Sequence, residues 1–204
     1  MQQLTRFLPD KLNKLVNKIP DPIWHVAIFA AILLFFHFLY RAVIGYLLLW
    51  EPFSQTNLHL MNLVFNSSAW FNRHILGLEF TIADPRTMWF TNGGYVSITD
   101  GCSGMKQFYQ VVILFLLYPG PWKHKLWYIP MAVVVMHLVN LFRVISLSVV
   151  VIWKPEIWDF THDNIVRPFF YVVVFFIWVI WVEKFYLPGK QKRTTREPDR
   201  SEKK

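Results

Sequence analysis

Four long apolar runs organise the chain, at about residues 23–50, 103–118, 126–153 and 169–187. A helix needs roughly 20 predominantly apolar residues to cross a bilayer core, so these runs predict about four transmembrane helices. Ahead of them, Leu4, Phe7, Leu8, Leu12, Leu15 and Ile19 recur at roughly helical spacing among Arg6, Lys11, Lys14 and Lys18. That pattern predicts a basic amphipathic helix over 1–22, lying on a membrane surface. No cleavable leader is expected, because the first residues are polar and the run after them is too long for a signal core.

Residues 51–102 break the apolar pattern with scattered Asn, Ser, Thr and His. From Gln55 to Leu76 an interfacial helix is expected. Phe80–Asp84, Trp89-Phe90 and Tyr95–Thr99 read as short strands, and Asn92-Gly93 is a strong hairpin signal between the last two. Trp122-Lys123-His124-Lys125 reads as a short basic loop and 154–168 as a polar loop. Residues 188–204 are charged, carry no hydrophobic pattern and are expected to be disordered. The fold class is thus an all-α polytopic membrane protein. It has one membrane domain over 23–187 and a small insertion, an interfacial helix plus hairpin, between helices 1 and 2.

Composition supports a membrane protein: 54% of residues are hydrophobic and 18% aromatic, gathered into runs rather than dispersed. The net charge of +8 does not imply a nucleic-acid partner, because the cations flank apolar runs. Fourteen of the 21 basic residues fall in the N-terminal segment, the 119–125 loop and the tail from Lys184. Only Arg73, Arg86, Lys154 and Arg167 lie on the opposite side, with seven of the 13 carboxylates. The positive-inside rule then puts both termini in the cytoplasm, and 51–102 and 153–168 outside. The single cysteine excludes an intramolecular disulfide.

Several polar groups in this apolar frame need a reason. Arg143 lies about nine residues inside the third run, on the order of 13 Å deep, where a cation costs at least a few kcal/mol. Asn140 and His137 precede it by one and two turns, so the three form a polar stripe that faces protein or water. His37 and Arg41 interrupt the first run, and Arg41 reads as a snorkelling side chain. Cys102 sits between Gly101 and Gly104, just before the second run. The glycines allow a tight turn, and the free N–H groups of the helix start favour negative charge beside the thiol. Lys106, one turn on, is expected to support a thiolate. His162, with Asp163 adjacent, lies on the same side as Cys102 and could serve it as a base. The remaining histidines read as interfacial or solvated. No metal site is expected, since neither HExxH nor clustered Cys/His spacing occurs.

Cys102-Ser103-Gly104-Met105-Lys106, Asn140-Leu141-Phe142-Arg143 and His162-Asp163 follow one another at the outer side of successive helices. In this the chain resembles the exosortase/archaeosortase family, and most closely its short bacterial exosortases of the F or X type. The likeness covers roughly residues 85–185. It departs at Val166, where many relatives have Gly four residues after the His, and in having fewer helices before the cysteine. The resemblance implies a multi-pass cysteine transpeptidase of the cytoplasmic (inner) membrane, with its site on the extracytoplasmic face and no cofactor. Its substrates would be membrane proteins carrying a C-terminal sorting signal, and its acceptor a lipid or glycan of the envelope. Cys102, Arg143 and His162 would be catalytic, with Asn140, Ser103, Gly104, Lys106 and Asp163 binding or supporting. The competing reading is a non-catalytic membrane assembly partner, in which Asn140 and Arg143 pair with a polar group on another protein's helix.

Overall fold

The computed structural model describes residues 21–44, 46, 50–83 and 85–188. The surface helix expected over 1–22 lies outside these apart from its last two residues, as does nearly all of the tail.

Helix α1 (Asp21–Leu39) continues through a π turn, Tyr40–Ile44. It is apolar all round, and Leu34, Phe35 and Phe38 stay on the bundle surface, as suits a helix facing lipid. Helix α2 (Glu51–His74) begins four residues before the expected interfacial helix, with Pro52 in its first turn. It buries one face, Met61, Val64, Phe65, Ser68 and Asn72, at i, i+3/i+4 spacing.

Strands β1 (Phe80–Ile82), β2 (Thr87–Phe90) and β3 (Tyr95–Ser97) form an antiparallel meander in that order. The β2–β3 turn is at Asn92-Gly93, with Gly93 at φ 84° and its N–H on the Phe90 carbonyl at 3.0 Å. Asn92 Nδ2 donates to the Val151 carbonyl at 2.8 Å, which docks the turn on a later helix.

A 3₁₀ turn, Asp100–Cys102, leads into α3 (Met105–Leu117), α4 (Trp122–Trp153) and a last helix α5 (Pro155–Tyr186). α5 is one helix built from 3₁₀, α and π segments. The polar stretch 154–168 is therefore mostly helix rather than loop. It is started by Pro155, and its polar groups share the helix with Trp158 and Val166. The 122–125 stretch is helical too. Lys125 is 4% exposed and donates to the carbonyls of Leu116 and Tyr118 at 3.0 and 2.8 Å. It thus satisfies acceptors that the end of α3 would otherwise leave bare.

Pro22–Val43, α4 and α5 are long and apolar enough to cross a membrane, and α3 is a shorter apolar helix. The chain is an all-α polytopic membrane protein with a small sheet in its insertion.

The short α3 determines where the site sits. At 13 residues it is about 20 Å long, against about 48 Å for the 32 residues of α4. Gly104 abuts Asn140, and Lys125 reaches Leu116. The α4 segment Leu141–Trp153 therefore overhangs the start of α3 by about 20 Å.

The overhang gives the molecule two cores. One unites Phe29, Leu114, Phe115, Tyr128, Met136 and Trp181 inside the helix bundle. Lipid is as apolar as these side chains, so close packing and internal hydrogen bonds must hold this core. Tyr128 Oη on the Ile177 carbonyl, at 2.6 Å, is one such bond. The other core joins Met61, Phe65, Met88, Phe90 and Val96 to Val144 and Val151 of the overhang. It is covered by a polar helix face, and burial of apolar surface from water can drive it.

Candidate active site

The cysteine segment is shaped by its own backbone. Cys102 N–H donates to the Thr99 carbonyl at 2.8 Å. Ser103 Oγ donates to the Asp100 carbonyl at 3.0 Å and accepts from Met105 N–H at 3.2 Å. Gly104 follows at φ 83°, ψ −3°, the left-handed region, and starts α3. The turn is held from outside at two points. Asn57 of α2 donates to Asp100 Oδ1 at 3.1 Å, and Asn140 of α4 donates to the Cys102 carbonyl at 2.7 Å. The half-buried thiol touches Thr99 Oγ1 at 3.6 Å.

One turn further along α4, Arg143 is 8% exposed and donates through Nη2 to His162 Nε2 at 2.9 Å. A guanidinium only donates, so Nε2 must accept and the ring proton must be on Nδ1. Nδ1 lies 2.8 Å from Asp163 Oδ1, which takes that proton in a hydrogen bond. Arg167, four residues on, flanks the same carboxylate oxygen at 3.1 Å. Trp158 stacks on the imidazole with centroids 5.0 Å apart and planes 5° from parallel. The ring is thus held on both edges and one face. Its π segment, Thr161–Val166, adds a residue to the turn, a distortion that recurs at functional sites.

The structure brings the expected groups together in two pairs of contacts, Asn140 with Cys102 and Arg143 with His162-Asp163. They meet where the two cores join. Among the described residues, the thiol makes no hydrogen bond to His162 or Arg143. Ser103 has its hydroxyl turned into the backbone. Lys106 leaves the thiol altogether: its Nζ lies 4.9 Å from the centroid of the Tyr40 ring on α1. The expected support of a thiolate by Lys106 is therefore not made. α3 turns that side chain about 200° away from the face of Gly104, which contacts α4. His37, Arg41 and His137 lie outside the cluster.

Arg143 is the unusual electrostatic element. Its neighbour His162 is neutral in this arrangement, and no carboxylate touches it among the described residues. Its Nε and Asn140 Oδ1 are buried without a partner. A buried charge met, among the described residues, only by a neutral ring nitrogen and by the Phe170 ring, 5.9 Å away, costs several kcal/mol. The arrangement is suited to stabilising negative charge that develops beside Arg143. Among the described residues, no group of three or more His, Cys, Asp and Glu could hold a metal.

Three contributors were not expected from sequence: Trp158, Thr99 and Asn57. Trp158 had a usable signal, being four residues before His162, but that spacing means contact only once Pro155 starts the helix.

No curated protein and no solved structure matches the chain. The family described as transmembrane exosortase matches residues 21–181. That interval takes in α1, the sheet insertion, all of the motif residues and α5 as far as Trp181. By this match over most of its length, the chain belongs to the transmembrane exosortase family.

Proposed function

We propose that the protein is a membrane cysteine transpeptidase or protease that removes C-terminal sorting signals. Its site would open on the outer face of the cytoplasmic membrane, as the distribution of Lys and Arg favours. The observation that carries the proposal is the buried Arg143, which meets no carboxylate among the described residues, bonded to His162 one turn from the Asn140 that holds Cys102.

In the first step Cys102 Sγ attacks the scissile carbonyl carbon. Its proton passes to His162 Nε2, and negative charge develops on the carbonyl oxygen. Arg143 must release Nε2 for that transfer, and the developing oxyanion offers its guanidinium a better acceptor than a neutral imidazole. Asp163 stabilises the imidazolium so formed through Nδ1. The C–N bond then breaks, and Nε2 returns the proton to the leaving amine, which departs with the membrane helix and basic tail of the substrate. A hydroxyl or amine on an envelope lipid or glycan attacks the thioester next, gives its proton to Nε2, and expels the thiolate. Water in the same position would make the enzyme a plain protease. The assembly-partner alternative gains no support here, because Asn140 and Arg143 turn inward and make their contacts within the chain.

The test compares Cys102→Ala with wild type in native cells, by mass spectrometry of membrane proteins with a C-terminal apolar helix and basic tail. Untrimmed proteins are expected in the variant alone, and the added mass on the wild-type product names the acceptor. Identical trimming in both strains would refute the proposal.

A further inference from the structure

The side chain that left the thiol defines a second polar place. On α3, Gly104 and Phe108 face α4, where Phe108 lies 6.3 Å from the His137 ring. Lys106 and Gln110, one turn apart, line a different side. With His37, Leu33 and Leu34 of α1 and Tyr171 of α5, they border a cleft of about 180 Å³. Gln110 is 8% exposed and makes no side-chain hydrogen bond among the described residues. Lys106 has no carboxylate partner among them either. α3 contains no acidic residue, and α1 contains none after Asp21. Among the described residues the Lys106 ammonium meets the Tyr40 ring, and a ring contact offsets only part of the cost of a cation at this depth.

The position identifies the missing partner. Lys106 stands in the first turn of α3, within about 5 Å of the outer end of that apolar helix, and the Tyr40 ring it meets is followed directly by Arg41. This is the level at which lipid headgroups meet acyl chains. The cleft is smaller than the roughly 300–1,000 Å³ of drug-sized sites, yet adequate for a phosphate and its ester oxygens. Leu34 and Phe38, 60% and 68% exposed beside it, offer an apolar surface along which tails can lie.

We propose that this cleft binds the headgroup phosphate of an anionic phospholipid, with Lys106 Nζ and the Gln110 amide as donors. His37 lines the same cleft from α1. A net negative headgroup is required, because a zwitterionic one brings its own cation and leaves Lys106 uncompensated. The proposal is independent of the chemistry at Cys102, since binding is measured without turnover.

Purified full-length protein in neutral detergent is titrated with phosphatidylglycerol, phosphatidylcholine or inorganic phosphate and read by native mass spectrometry. One phosphatidylglycerol should bind per chain in preference to phosphatidylcholine, and inorganic phosphate should not displace it. Lys106→Gln should weaken binding at least about tenfold, the loss of one charge-assisted bond. Lys106→Arg should retain it, and Gln110→Leu should weaken it a few-fold. Wild-type binding by Lys106→Gln, or equal affinity for both lipids, would overturn the proposal. Full displacement by inorganic phosphate would overturn the lipid assignment in favour of a small-anion site. If Lys106→Gln does not fold, unchanged binding by Gln110→Leu overturns it equally.

Discussion

Replacing Gly104 by Ala tests whether the cysteine turn is held by its contact with α4. The backbone there is at φ +83°, and an L-residue in that region costs about 1–2 kcal/mol. The new Cβ would also meet Asn140 Nδ2 at 3.2 Å, Phe108 Cζ at 3.3 Å and Asn140 Cγ at 3.4 Å. Asn140 has no room to retreat, being fully buried and tied to the Cys102 carbonyl at 2.7 Å. Loss of that bond adds about 1 kcal/mol, so the total is roughly 2–3 kcal/mol. For a chain of this size the loss corresponds to a melting temperature lower by roughly 4–12 °C. Two other glycines separate the terms. Gly93 has φ +84° with nothing near its would-be Cβ, so Gly93→Ala should show the backbone cost alone. Gly101 has neither a positive φ nor a neighbour within 4 Å, so Gly101→Ala should melt close to wild type. Thermal unfolding in detergent should rank the losses Gly104, Gly93, Gly101. Equal losses for the first two would show that the contact with Asn140 does not hold the turn.

Three further substitutions separate stability from chemistry. Arg143→Met should fold as well as wild type or better, because it removes a poorly compensated buried charge. Its signal removal should fall by about 10²-fold or more, the usual loss of an oxyanion donor; retained activity would exclude Arg143 from the mechanism. Asp163→Ala removes the acceptor of His162 Nδ1 and an exposed ion pair with Arg167. Stability should change by less than about 1 kcal/mol, while the rate falls on the order of 10²-fold; a normal rate would show that the ring needs no orienting carboxylate. Asn92→Ala loses the bond to the Val151 carbonyl and the turn contact with Gly94. It should cost about 1–2 kcal/mol and increase hydrogen exchange in β2 and β3; unchanged exchange would mean that packing alone docks the hairpin.

Much of this was legible in the chain, and what was not has identifiable causes. The hairpin at Asn92-Gly93 follows from local turn chemistry, which tertiary contacts reinforce. The Asn140/Arg143 stripe was readable because α4 is regular there, so 100° per residue holds. The start of α5 was hidden for the opposite reason. Its buried positions step from Thr161 to Val166, five residues, across the π segment and then resume with Phe170 and Val174. A search for steps of three and four loses the helix at that point. The contacts of Lys125 and Lys106 do not follow from residue type and position in the chain. Which carbonyl or ring a long side chain reaches depends on the facing helix, and that is a tertiary fact.

The overhang of α4 explains why such different demands can be met at one place. In the proposed chemistry a peptide bond and then an acceptor nucleophile must reach the thiol, whereas an arginine gains most as an electrostatic catalyst where the dielectric is low. A single helix of about 48 Å passes through both settings. Its first part packs in the apolar bundle, and its last part carries the sheet and α2. Asn140 and Arg143 fall at the change between them, level with the start of α3. Trp158 belongs to the fringe of both cores and stacks on His162, so the imidazole is placed by the junction itself. A longer α3 would carry Cys102 up beside the sheet and away from Arg143. A shorter one would sink it among apolar side chains where no acceptor could follow. The length of α3, set by Gly104 at one end and by Lys125 capping the other, therefore does as much for the proposed chemistry as the identity of the thiol.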